Sequence, residues 1–340
     1  MHAATQLAIA LSATLAAGTA TSQSPVATRD TTIDAAVQAR VIDALMRELD
    51  RGYVFPEKVE QMSTAVRGRA TRGDYGRTLT ARSFADSLTA HLQSVTHDKH
   101  LRVRFGEPNG GAPRPTAEER ERQRSRMLAQ AKADNFGIGK PERLDGNVAY
   151  LEIRTFGLPP EVIQDAVAEA MSAVADADAL ILDVRANGGG SPFSVALVSS
   201  YLFGPDSVHL NSLYFRPRNQ TDHFWTRSSV PGKRFGPTKP LFVLTSRRTF
   251  SAAEEFTYNL HSLKRATVVG DTTGGGAHPG GVQALTDRFF VFVPSGRAIN
   301  PITKTNWEGT GVRPHIAVPS EQAKEAAHRA ALRALGKVAM

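Results

Sequence analysis

Behind Asp34, a residue type that caps helices, apolar side chains recur at Val37, Val41, Leu45 and Leu49, and Gly52 closes the run. This four-residue spacing predicts an amphipathic helix. A second helix is expected from Pro56 to about Ala70, and Phe84, Leu88, Leu92 and Val95 predict a third within Arg82 to Val95. Residues 30–96 therefore read as a small three-helix bundle. The period then changes. Leu101, Val103 and Phe105 alternate with Arg102 and Arg104, the pattern of a half-buried strand, and the Gly/Pro cluster over 108–115 marks a boundary.

From Asn147 onward strand and helix patterns alternate. Val148 to Ile153, Ala179 to Val184, Leu241 to Thr245 and Ala266 to Gly270 are short apolar runs, with helical patterns over 160–174, 193–202 and 252–263 between them. Such alternation predicts a largely parallel sheet covered by helices. The Ala-rich end is expected to be helical from about Glu321. The expected layout is an N-terminal helical domain over 30–107, a charged helix and linker over 108–145, an α/β domain over 146–320 and a C-terminal helix over 321–340.

Composition sharpens this picture in a few places. The 340 residues, 41% of them hydrophobic, suffice for one large and one smaller domain. Residues 1–22 carry no Lys, Arg, Asp or Glu and contain the apolar run Leu7 to Ala17, followed by small residues. They read as a signal peptide, so an exported protein, periplasmic or extracellular, is expected; an uncleaved leader would tether it to a membrane. No other stretch has the length and apolarity of a membrane span. The chain has no Cys, which excludes disulfides, thiol catalysis and thiolate metal sites. The formal charge of +8 is spread along the chain and mixed with acids, as in Glu118 to Arg126, so a solvated charged helix is expected there and no nucleic-acid partner.

Three strand ends carry unusual residues, and in open α/β sheets ligands bind beyond such ends. In Asp183-Val-Arg-Ala-Asn-Gly-Gly-Gly190, the glycines Gly188, Gly189 and Gly190 follow a buried strand, where the backbone can approach a ligand and aim N–H groups at an anion. A flexible turn or a phosphate loop fits the same residues. Ser251 sits where a strand-end loop runs into a helix. With Glu254 three residues on, it has the pattern of a capping box, and it is also where a nucleophile would sit, with the following N–H available to an oxyanion. Asn306 to Pro314 is a Gly-punctuated turn with one carboxylate, Glu308.

The order of these strands and glycine turns resembles the tail-specific, or C-terminal-processing, serine peptidases, in particular the branch that includes the interphotoreceptor retinoid-binding proteins and the tricorn core protease. The resemblance is carried by Asp183 to Gly190, Ser251 to Glu254, Gly270 to Gly276 and Glu308 to Pro314. It implies a crotonase/Clp-like α/β core with a mainly parallel sheet beside the helical bundle. The turn Asp271 to Gly280 holds no Lys, which sets the chain apart from Ser-Lys peptidases of the family. The gap of about forty residues between Phe105 and Val148 falls short of the roughly fifty a PDZ domain would need.

The resemblance implies a serine peptidase acting on extended polypeptides through an acyl-enzyme, without cofactor or metal. Ser251 would be the nucleophile, His100 the base and Glu308 the acid, with Asp98 a second group that could orient His100. Gly189 and Ala252 would supply oxyanion N–H groups, with Gly188 and Gly190 beside them. Lys99 stands where the tricorn protease has a helper Ser, and His315 follows Pro314 where the family shows Asp. Two rivals remain open. His97, Asp98 and His100 could hold zinc, and the architecture could bind an apolar ligand or peptide without cleaving it. His278 is expected to be a substrate-side or structural residue.

Overall fold

The computed structural model describes residues 30–76, 80–106 and 116–337. The expected leader over 1–22 lies outside them, as does the Gly/Pro cluster over 108–115. In chain order the elements are α1 (Ala35–Gly52), α2 (Val59–Thr71), α3 (Ala81–Thr96), β1 (Arg102–Phe105), α4 (Ala117–Ala133), β2 (Glu142–Leu144), β3 (Val148–Glu152), α5 (Pro160–Val174), β4 (Ala179–Asp183) and α6 (Pro192–Ser200). They continue with β5 (His209–Phe215), β6 (Gln220–Trp225), β7 (Leu241–Thr245), α7 (Ala252–Ser262), β8 (Thr267–Gly270), β9 (Gly280–Ala284), β10 (Phe289–Pro294), β11 (Gly296–Ile299), β12 (Ile316–Ala317) and α8 (Ala323–Ala334).

These elements form two compact units, the first ending before residue 115 but including 280–295, the second formed by the rest of the chain. In the first unit Asp34 caps α1 by accepting the Val37 N–H at 2.7 Å, and the expected stripe Val41, Leu45 and Leu49 is fully buried. The second expected helix opens as a short 3-10 turn over Pro56–Lys58 before α2, with Pro56 placed where its missing N–H costs nothing. β1 pairs antiparallel with β10, which pairs with β9. Val103, Phe289, Val291 and Val293 thereby join the apolar core of the three helices. The hairpin β9–β10 thus belongs to the first unit although it lies between two stretches of the second.

The second unit is built on a six-stranded sheet of order β12-β8-β7-β4-β3-β2, parallel except for β2. β4 and β7 are buried at every position because helices cover both faces. α5, α6 and α7 pack on one face through Val167, Met171, Leu197 and Phe256. α8 packs on the other through Ala323, Ala327 and Ala331. A separate antiparallel sheet, β11-β5-β6, carries its own apolar cluster around Leu213, Phe224, Ala298 and Trp307. The charged helix expected near residue 120 is α4, which has a capping box between Thr116 and Glu119 and no buried residue. Among the described residues no helix is long and apolar enough to cross a membrane.

Candidate active site

In the second unit the carboxyl ends of β4 and β7 feed two turns that are stitched together. Ser246 Oγ donates to the Arg185 carbonyl at 2.6 Å, Thr249 Oγ1 to the Val184 carbonyl at 2.9 Å, and the Phe250 N–H to the Asn187 carbonyl at 3.1 Å. Asn187, fully buried, ties the glycine turn to the neighbouring strand: its Nδ2 donates to the Ile153 carbonyl at 3.0 Å and its Oδ1 accepts the Gly189 N–H at 2.9 Å. These bonds leave the loop over 246–250 a single path into α7.

Ser251 stands at the end of that path with φ 55° and ψ −121°. An ordinary helix cap sits in the extended region, and a side-chain-bearing residue held at positive φ costs about 1–3 kcal/mol. Helix capping therefore explains the position of Ser251 but not its conformation. A strained residue on a strand-to-helix turn, with its side chain thrust out of the turn, is the geometry that exposes a nucleophile. Gly189, at φ 109°, lies directly against it: a Cβ there would come within 2.8 Å of both the Phe250 carbonyl oxygen and Ser251 Cβ, and within 2.9 Å of the Ala252 nitrogen. The structure thus brings together Ser251, Ala252 and the glycine turn.

The amides of this corner are unequally occupied. The Gly189 N–H, which the resemblance assigns to an oxyanion, is donated to Asn187. The N–H groups of Ala252, Gly188 and Gly190 make no hydrogen bond among the described residues. Ala252 is the first residue of α7, so its amide is one of the donors a helix leaves open at its N-terminus.

Glu254 is fully buried and does more than complete a helix cap. Its carboxylate accepts the Ser251 N–H at 2.9 Å, the Gly275 and Gly276 N–H groups at 2.6 and 2.8 Å, and the Thr273 hydroxyl at 2.5 Å. Burial pushes its carboxyl above the usual range, while the four donors pull the other way. The next amide along the turn, Ala277 N–H, donates to Glu308 Oε2 at 2.5 Å. A continuous set of carboxylates and turn amides therefore runs from the Ser251 backbone to Glu308. His278 Nδ1 lies 3.5 Å from Glu308 Oε2, and the Trp307 indole donates to the Gly276 carbonyl at 2.7 Å.

His100 and Asp98 lie in the first unit. His97 ends α3 in a left-handed cap at φ 59°, and the buried Asp98 then accepts the His100 N–H at 3.0 Å, fixing the turn into β1. The His100 ring stacks on Phe292 of β10, centroids 5.7 Å apart.

A cavity of about 380 Å³ opens elsewhere on the second unit, among Asp183, Arg185, Ser246, Arg247, Arg248 and Asp271. Arg185 fills one wall, pairing with Asp183 at 2.6 Å and donating to the Ser320 carbonyl ahead of α8. Ser251 does not line it.

Asn187, Glu254 and Thr273 escape a reading of the sequence. Asn187 lies inside the quoted glycine motif and Glu254 in the capping-box pattern, so both positions are visible there. Their second partners, Ile153 and the turn over 273–276, come from other strands and leave no local signal.

Residues 147–318 match the family model of peptidase family S41, and residues 31–135 match the N-terminal domain of peptidase S41 in eukaryotic interphotoreceptor retinoid-binding protein. Among solved structures, a Parabacteroides merdae protein assigned as a peptidase is 21% identical, with TM-score 0.58 over 87% of this chain and 96% of that one. The photosystem II D1 C-terminal processing protease is 18% identical, with TM-score 0.50 over 84% and 93%. The tricorn protease is 13% identical, with TM-score 0.54; the match covers 88% of this chain and 37% of that longer one. At these identities the structural likeness speaks for the fold.

Proposed function

For a chain that belongs to peptidase family S41, and is by that membership a serine peptidase, we propose that Ser251 is the nucleophile, His100 its base and Glu308 the acid behind them. The observation that carries the reading is the strained backbone of Ser251 packed against Gly189. A serine hydroxyl needs a hydrogen-bonded base to lose its proton as it attacks, and the base works best when a third group fixes its tautomer. Attack on a peptide carbonyl would form an acyl-enzyme and release the amine fragment; water, activated by the same imidazole, would then free the acid.

The oxyanion would be received by the open Ala252 amide together with Gly188 or Gly190 N–H, since Gly189 N–H is engaged by Asn187. Gly189 itself supplies the close approach. Asp98, which fixes the His100 backbone, is proposed as a second orienting group. Extended polypeptides are the proposed substrates, taken at chain ends as in the tail-specific relatives, and the neutral leader supports export. N-terminal sequencing of the secreted protein should begin near residue 21, and an intact Met1 end would count against cleavage.

A serine-reactive fluorophosphonate probe tests the reading directly. Labelling of the wild type that is lost in Ser251→Ala supports the enzyme, and folded wild-type protein that never labels favours a binding role instead. His100→Ala should lower peptide turnover to the level of Ser251→Ala, because members of one relay act as a unit. Wild-type turnover in His100→Ala would remove that residue from the mechanism.

A further inference from the structure

The two adjacent glutamates of α7 live in opposite surroundings. Glu254 collects four hydrogen-bond donors, whereas Glu255 is only 4% exposed, has no salt bridge among the described residues, and its Oε1 accepts no hydrogen bond. The side chains that act on it are amides, Asn211 of β5 and Asn259 of α7, both fully buried. Of the titratable groups on the same elements, Glu254 turns to the Gly275 and Gly276 amides, and His209 Nε2 of β5 lies 3.1 Å from the Asn211 carbonyl and 3.0 Å from Ser212 Oγ. The Asn211 side chain makes no hydrogen bond at either of its polar atoms, and Asn259 Nδ2 makes none. Asn300, just past β11, donates to Asn259 Oδ1 and to the Leu210 carbonyl, each at 3.5 Å. Its own Oδ1 accepts the Ile302 and Thr303 N–H groups at 3.0 and 3.1 Å.

A carboxylate in such a place would be a buried charge with no counter-charge, and such a group avoids the cost by keeping its proton. A protonated carboxyl is both donor and acceptor, which suits a ring of amides that offer one of each. Glu255 sits in the first turn of α7, one turn from the proposed nucleophile, its backbone N–H donating to the Ser251 carbonyl at 2.9 Å.

We propose that Glu255 is a positioning residue: as a neutral carboxylic acid it locks α7 to β5 and to the loop after β11, and so holds Ser251 in its strained, reactive conformation. The proposal rests on the reading of Ser251 as nucleophile. Burial pushes this carboxyl up to about 8, against the opposite pull of the two amides. Loss of the proton above that pH puts an unpaired charge under the first turn of the nucleophile helix, and Ser251 loses its setting while the rest of the sheet stays folded.

The experiment measures the second-order rate of fluorophosphonate labelling of Ser251 from pH 6.5 to 9.5 in the full chain, with the thermal transition recorded at each pH. In the wild type the rate should fall about tenfold per pH unit above about pH 8, below any loss of fold. Glu255→Ala should lower the rate about tenfold at pH 7, with Glu255→Gln restoring it and abolishing the alkaline fall, since an amide keeps donor and acceptor without a proton to lose. Superimposable pH profiles for wild type and Glu255→Gln would overturn the proposal. Should the variants not fold, infrared spectra of the wild type decide: a carboxylic-acid C=O band that bleaches with the labelling rate supports it, and no such band at pH 7 refutes it. Labelling absent at every pH would instead sink the hydrolase reading, and the link to reactivity with it, while the band still reports the Glu255 proton.

Discussion

At the scale of single residues, the corner around Ser251 is decided by tenths of an ångström. Gly189→Ala would drive a methyl to 2.8 Å from the Phe250 oxygen and 2.9 Å from the Ala252 nitrogen, in a backbone conformation that L residues rarely adopt. Labelling of Ser251 should fall by about 100-fold or more, the size of effect seen when one oxyanion donor is lost. Gly188→Ala, whose added methyl meets nothing within 4 Å, should keep its fold and lose far less. Equal rates for the two variants would show that the close approach of Gly189 has no part in the chemistry. The residue type of Ser251, the proposed nucleophile, and its place on the turn were legible in the sequence, and its strain was not, because a capping pattern and a nucleophile turn use the same letters.

The Glu255 carboxyl also makes a stability prediction. Its value of about 8 in the fold lies above its value of 4.5 when unfolded, so between those limits the folded chain binds more protons than the unfolded one. Stability from this group is therefore fully present below the unfolded value and is lost as pH rises toward the folded one, by at most about 1.4 kcal/mol per pH unit. Glu255→Gln removes that slope. Denaturant unfolding at pH 5 and pH 8 should show the variant gaining on the wild type by a few kcal/mol between the two; parallel curves would contradict it.

At the scale of elements, the long periodic segments were readable and the short non-local ones were not. α1 and α3 declare themselves by a buried stripe, and β4 and β7 by uninterrupted apolar runs, because their partners impose a simple period on the sequence. β9 and β10 declare little: β9 is Gly280-Gly-Val-Gln-Ala284 and exposed over most of its length, so no alternation marks it. α4 is the converse case, a helix legible from charge alone that buries nothing. Its 17 residues have a cap and no buried side chain, so amide hydrogen exchange in α4 should be far faster than in α7, whose first six residues are all buried. Comparable protection in both helices would mean that α4 is held by contacts the fold does not show.

At the scale of the whole molecule, the order along the chain and the order in space part company at Gly280. The helices of residues 30–106 share their core with Leu285, Phe289, Val291 and Val293. Four such side chains stabilise by about 1.5–3 kcal/mol each, as much as the whole stability of a typical domain. Residues 30–106 expressed alone should therefore lack a cooperative thermal transition, and the same fragment with 280–295 joined through a flexible linker should recover one. Cooperative melting of the short fragment would show that the bundle needs no hairpin. The parallel sheet and the helical bundle were legible as separate blocks. That one block borrows two strands from within the other's stretch of sequence was not, because pairing between residues 102–105 and 289–292 depends on a separation no local window spans.

The borrowed hairpin also sets a timetable for synthesis. The ribosome delivers the bundle helices first, yet the ribbon that completes their core emerges only after Ser251, α7 and the glycine turns have all been made. The second unit waits in turn for β12 and α8, which come last. The first unit cannot close before residue 295 is made, nor the second before α8, so the nascent polypeptide stays threadable through most of its synthesis.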